Sequence, residues 1–209
     1  MQKNNKIPLN VLFKANGVPS LEEEISACKD KCYRYNLLHP NDTENRRALL
    51  REIFAEVGEG AAVMPPFWCD YGSHIRIGKN FYANHNLVIT DGADVTIGDD
   101  VFIAPNCCIT TAEHALDPEQ RKAGMEVAKP VTIGNNVWLG AGAIVLAGVT
   151  IGDNTVVGAG SVVTKDIPAG VVATGVPCRV RRKISEEDKH RYPLANRNGI
   201  MFCCTLNST

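Results

Sequence analysis

An Ile, Val or Leu returns every six residues from Ile97 to Val163, through Ile103, Ile109, Ile133, Leu139, Val145, Ile151 and Val157. An α-helix repeats its buried face at a period near 3.6 and a half-buried strand at a period close to 2, so neither accounts for the series. A six-residue period belongs to a parallel β-helix, in which short strands and tight corners wind into stacked coils. The hexad Ile151 to Val156 carries the chemistry of one side: Ile151 points inward, Gly152 and Asn154 suit a turn, and β-branched Thr155 and Val156 suit the flat edge that follows. Three such sides close a coil of about 18 residues, and coils stack at roughly 4.8 Å.

The period slips once and is interrupted once. Ile77, Ala83, Ile89 and Val95 run two residues out of phase with the later series, which predicts a bulge or loosened corner. Ile109 and Ile133 are four hexads apart, so the phase survives an excursion between them. Residues 115–129 are charged and poor in β-branched side chains, and they are expected to loop out and return in register.

Before the coils, Ser20-Leu-Glu-Glu has the form of a capping box, with Leu21, Ile25, Cys28, Cys32 and Tyr35 on one apolar face. Asp42 or Thr43 opens a second helix carrying Leu49, Leu50, Ile53, Phe54 and Val57. An open first coil needs a cap, and these helices are placed to supply it. After Val163 the repeat runs out, and Ser185 with Asp188 marks a short helix. The expected organisation is a helical cap over 1–60, a β-helix over 61–182 with its extruded loop, and a C-terminal helix and tail over 183–209.

The 209 residues are 44% apolar, enough for a sizeable core, and no stretch approaches the ~20 apolar residues of a membrane span. Net charge is −1 with no basic stripe, which argues against nucleic acid and membrane surfaces as partners. Asn and Lys interrupt the apolar residues at the N-terminus, so a signal-peptide core is not expected and a cytoplasmic location is. Among the eight cysteines are two adjacent pairs, Cys107-Cys108 and Cys203-Cys204, and no C-x-x-C. That pattern disfavours structural zinc and a disulfide framework. Cys28 and Cys32, four apart on a helix, are expected to act as small apolar residues. The sequons at Asn41 and Asn207 have no meaning in a cytosolic protein.

Several segments carry a resemblance: G-K-N-F-Y-A-N-H-N-L at 78–87, I-A-P-N at 103–106, T-T-A-E-H at 110–114, P-V-T-I-G-N-N-V-W-L-G at 130–140, G-A-G-S-V-V-T-K-D-I-P at 158–168 and G-V-P-C-R-V at 175–180. Together they resemble the galactoside/maltose O-acetyltransferase family of hexapeptide-repeat acyltransferases, colinearly from about Tyr33 to Lys189. The resemblance implies a mainly β, left-handed parallel β-helix, a homotrimer, and acetyl-CoA as co-substrate in a groove between subunits, with no metal required. It implies His114 as the catalytic base, at the junction of repeat and loop, where imidazole can take a proton from an incoming hydroxyl. It places acetyl-CoA near Ala141, Ala159, Thr164, Lys165, Arg179 and Arg182, with Trp138 either a channel wall or a packing residue. Small residues let the pantetheine approach the backbone, Lys and Arg answer phosphates, and the Ala141 N–H, where the galactoside enzyme has Ser, sits near the thioester oxygen.

For the acceptor, a small molecule and by resemblance a sugar, the same comparison points to Asp70, Tyr82, Asn84 and Asp91. Gly92 departs from an Asp of the galactoside enzyme, Ile25 stands near its Arg and Asn16 near its Asp, so the acceptor need not be a galactoside. Glu126 is expected to be a solvated loop carboxylate, with orientation of His114 or of the acceptor as its alternative. His39, His74, His85 and His190 keep an ordinary surface reading, His85 drawing notice beside Asn84. An antibiotic, amino-sugar or serine acceptor competes within acyl transfer. A γ-carbonic-anhydrase-like metalloenzyme uses a similar solenoid but wants a close histidine pair, which is missing here. A non-catalytic solenoid leaves T-A-E-H, T-K-D-I-P and C-R-V unexplained.

Overall fold

A computed structural model describes residues 7–14 and 17–192. Asn16, the tail from Pro193 onward, Cys203, Cys204 and the Asn207 sequon lie outside the described residues. The chain winds into a β-helix of about six turns. Its first face stacks Glu56–Val57, Ile75–Ile77, Val95–Ile97, Val131–Ile133 and Thr150–Ile151, with Val57, Ile77, Ile97, Ile133 and Ile151 in one inward column. A second face stacks Ala62–Val63, Tyr82–Ala83, Phe102–Ile103, Trp138–Leu139, Val156–Val157 and Val171–Thr174. The third stacks Phe67–Cys69, Leu87–Thr90, Cys108–Thr110, Ile144–Val145 and Val162–Val163. All coil pairings are parallel, and every residue of the six-residue series is at most 2% exposed. Burial of each such side chain contributes about 1.5–3 kcal/mol relative to exposure, which is what holds the column in register.

Corners between the first two faces turn through left-handed residues: Asn80, Asp100, Asn136 and Asn154 have φ of 53°, 57°, 53° and 55°. Asn and Asp tolerate this conformation, and their side chains ladder between coils, Asn136 Nδ2 donating to Asn154 Oδ1 at 2.9 Å. Gly134 on this corner is obligatory for a different reason. A Cβ there would lie 2.2 Å from Asp153 Oδ1 and 2.8 Å from Asp153 N.

The phase slip lies at a single corner. Between the third and first faces, eight residues separate Cys69 from Ile77 and Ile89 from Ile97, where six make a regular side. In the next coil the same corner opens into the 24-residue excursion from Ile109 to Ile133, and it then closes to six between Val145 and Ile151. The loop is a ribbon of Ala112–His114 antiparallel to Met125–Ala128, joined through helix α3 (Pro118–Lys122). Asp117 caps α3 by accepting from the N–H groups of Glu119 and Gln120. Phe13–Lys14 adds a third strand against Met125 and Glu126.

Helices α1 (Pro19–Asn36) and α2 (Thr43–Ile53) close the first coil. Asp42 caps α2 as expected, accepting from Asn45 N. Ser20 is not the cap of α1: Val18 occupies that place and Pro19, whose missing N–H is no loss in a first turn, begins the helix two residues earlier than a Ser20 cap would. The open strand edge is satisfied by side chains. Asn36 Nδ2 donates to Phe67 O and Asn36 Oδ1 accepts from Phe67 N, both at 2.9 Å. Tyr35 Oη and Arg46 Nη2 both donate to Val63 O. At the other end Arg179–Lys183 folds back antiparallel on Val171–Thr174, and Asp188 accepts from Ser185 N at the head of a 3₁₀ turn, Glu186–His190. No helix among the described residues is long and apolar enough to cross a membrane.

Candidate active site

The loosened corner gathers titratable side chains that a regular corner excludes. Asp70 and Tyr71 come from one coil, Gly92 from the next, and Ala112, Glu126 and Ala128 from the ribbon. With Leu21, Glu22 and Ile25 of α1 and Ile7 and Phe13 of the N-terminal segment they enclose a cleft of ≈170 Å³. Ribbon pairing sets His114 opposite Glu126, with Nδ1 3.6 Å from Glu126 Oε1. The imidazole is 59% exposed and the carboxylate 20%. Glu126 is therefore not a solvated loop residue. Glu113, the neighbouring charge on the ribbon, pairs at 2.7 Å with Lys129 just beyond the opposite strand.

Asp70 is half-buried, with Lys29 3.9 Å away. Burial and the neighbouring Asp91 raise its pKa, with Lys29 opposing. Tyr71 is pushed up to about 12 by burial and by the charges of Asp70, Glu24, Asp91 and Glu126, and its ring lies 4.9 Å from that of His74. Asp91 corrects the sequence expectation: it is fully buried and braces the corner instead of facing an acceptor. Its Oδ1 accepts from the N–H groups of Asp70 and Tyr71 at 2.9 and 3.0 Å, while burial raises its pKa. His74 Nδ1 donates to Asp91 O at 2.6 Å, and His85 Nδ1 donates to Pro65 O, so each ring is oriented by a backbone carbonyl.

The remaining predicted residues lie elsewhere on the prism. Tyr82 and Trp138 stand with Phe102 and Val156 in an outward column on the second face, where Phe102 and Trp138 are more than half exposed. Asn84, Ala141 and Ala159 share the corner between the second and third faces. There the Gly140 and Gly142 N–H groups bond Val157 O and Pro105 O, and the Ala141 N–H has no acceptor among the described residues. Thr164 and Lys165 leave the last coil exposed, and Arg179 and Arg182 lie exposed on the closing strand. Arg182 is held by both oxygens of Asp188 at 2.7 Å. Cys107 and Cys108 are poor nucleophiles, since burial raises both thiols. The sequence missed Glu22, Tyr71, Ile7 and Phe13 as cleft residues; the phase slip was the signal that marked Tyr71's corner.

A solenoid with a histidine–carboxylate pair beside a cleft and an unengaged backbone N–H on another corner has groups that acyl transfer needs, and its sequence matches place it among the hexapeptide-repeat acyltransferases. Residues 130–165 match the bacterial transferase hexapeptide family (six repeats), and residues 11–58 match the maltose acetyltransferase hexapeptide capping motif. Galactoside O-acetyltransferase of Escherichia coli strain K12 is 55% identical over 164 residues, 78% of this chain and 81% of that protein. A galactoside acetyltransferase in complex with coenzyme A superposes with a TM-score of 0.84 at 52% identity, covering 87% of this chain and 90% of that one. A hexapeptide-repeat acetyltransferase of Vibrio cholerae complexed with acetyl coenzyme A gives 0.77 at 38% identity, covering 81% and 92%. The chain belongs to the galactoside/maltose O-acetyltransferase family of hexapeptide-repeat acyltransferases.

Proposed function

We propose that this acetyl-CoA-dependent O-acetyltransferase acetylates a hydroxyl of a sugar or related small acceptor, with His114 as the general base. The observation that carries the reading is the His114–Glu126 pair at the cleft. Glu126 beside Nδ1 favours the tautomer with its proton on that nitrogen, which leaves Nε2 to accept the acceptor's proton. The acceptor oxygen then attacks the thioester carbon, the Ala141 N–H stabilises the oxyanion, and the C–S bond breaks as His114 returns the proton to the departing thiolate. Asp70, Tyr82 and Asn84 orient the acceptor through its hydroxyls. Thr164, Lys165, Arg179 and Arg182 hold the cofactor's polar end, and Trp138 walls its channel.

Within one chain the His114 corner and the Ala141 corner are separate, so the complete site needs a second subunit. The outward column of Tyr82, Phe102, Trp138 and Val156 is the apolar surface such an assembly covers. A homotrimer is expected, and light scattering should give about three times the chain mass. A monomer with full activity contradicts the arrangement. Unpaired thiols among the described cysteines and the use of acetyl-CoA favour the cytoplasm.

Ile25 and Gly92 line the cleft with no polar side-chain group, so the acceptor need not be a galactoside. A panel of galactosides, glucosides, maltose, amino-sugars, serine and hydroxylated antibiotics, each with acetyl-CoA, tests the reading through free thiol release. Acceptor-dependent release is expected with a neutral sugar. Release confined to serine or to amines without a sugar hydroxyl overturns it.

A further inference from the structure

Beneath the cleft, α1 meets the third face of the coil through three sulfurs. Cys28 and Cys32 lie one turn apart on α1, and Cys69 ends strand Phe67–Cys69; all three are at most 3% exposed. Cys69 Sγ is 3.5 Å from Cys28 Sγ and 3.7 Å from Cys32 Sγ, and the three sulfurs lie within 4.8 Å of one another. A disulfide needs about 2.05 Å, whereas thiolates at about 2.3 Å from a tetrahedral zinc ion stand roughly 3.8 Å apart. The observed spacing fits metal ligands and is far too long for a disulfide. It is the only such group of His, Cys, Asp or Glu among the described residues.

A further observation points to an ion. Asp91, on the adjoining coil, has a buried Oδ2 with no partner among the described residues, while its Oδ1 accepts from the N–H of Asp70, the residue after Cys69. A buried carboxylate oxygen without a partner is costly, and a cation satisfies it.

We propose that Cys28, Cys32 and Cys69 are the thiolate ligands of a structural Zn²⁺ site, with Asp91 Oδ2 drawn in as the fourth donor, that clamps α1 to the coil. Zn²⁺ displaces the thiol protons to solvent and leaves the sulfur oxidation state unchanged. The ion stands outside acetyl transfer. Its role is to fix the helix that supplies Leu21, Glu22 and Ile25 to the cleft.

The test uses the full chain expressed in zinc-supplemented medium and freed of loose metal by gel filtration. About one zinc per chain is expected by elemental analysis, and replacement by Co²⁺ should produce a thiolate-to-cobalt charge-transfer band in the near ultraviolet. Cys28→Ser and Cys69→Ser should each lose the metal and the band, while the double variant Cys203→Ser/Cys204→Ser keeps both. Strong chelation should lower the unfolding temperature of the wild type and leave that of Cys28→Ser unchanged. The cobalt spectrum of the folded wild type decides the matter even where a variant fails to fold. A metal-free wild type that gives no cobalt band, loss of the metal in the tail variant, or a Cys28–Cys69 disulfide in the native protein overturns the proposal.

Discussion

His114→Ala is expected to lower kcat by roughly 10²–10⁴-fold, the usual contribution of a positioned general base, with acetyl-CoA affinity nearly intact. The separation follows from the geometry. His114 stands on the ribbon beside the cleft proposed for the acceptor, whereas Ala141, Ala159 and Lys165 occupy other corners of the solenoid. Removal of the imidazole also leaves the fold alone, because the side chain is 59% exposed and, among the described residues, pairs only with Glu126. Steady-state kinetics with calorimetric titration of acetyl-CoA checks both halves. Wild-type turnover in the variant removes the proposed base. An acetylated Cys107 or Cys108 would instead point to an acyl-enzyme, a route their burial opposes.

Phe67→Ala should destabilise the protein by about 3–5 kcal/mol, the range for deleting a buried aromatic ring. Phe67 is fully buried where the cap meets the solenoid. Its ring packs edge-on against Phe54 at 5.3 Å and 85°, an arrangement that adds to simple burial. The backbone of the same residue exchanges two hydrogen bonds with Asn36, so the loosened ring disturbs the closure of the first coil as well. Urea unfolding at fixed protein concentration, followed by circular dichroism, measures the loss. A change below about 1 kcal/mol would mean that the cap contributes little to closing the solenoid.

Most of the coil was legible because its determinants are local. Ile97, Ile133 and Ile151 stack in one column since each hexad sets its own corner, and Asn154 takes the left-handed conformation its residue type tolerates. The two-residue slip, expected as a loosened corner, is the corner that holds Asp70, Tyr71 and the loop. What was not legible depends on contacts between distant segments. Glu126 looks solvated in sequence, and only ribbon pairing sets it against His114. Asp91 has the residue type of a sugar ligand, but two backbone N–H groups of the preceding coil draw it inward. Cys28 and Cys32 are buried as expected, yet nothing near them in sequence announces Cys69, which arrives through the coil. Ser20 lost the cap of α1 to Val18 because Pro19 fits the first turn.

The most direct test of the central claim follows the acetyl group itself. The protein is supplied with acetyl-CoA carrying ¹³C at the acetyl carbonyl and with the sugar that gives the fastest thiol release, and the products are examined by NMR and mass spectrometry. The expected result is a new ester carbonyl on a sugar hydroxyl, formed in equal amount to free CoA, with no label on the protein. Label found in an amide, on a cysteine, or in acetate alone while the sugar stays unmodified would contradict acetyl transfer to a hydroxyl.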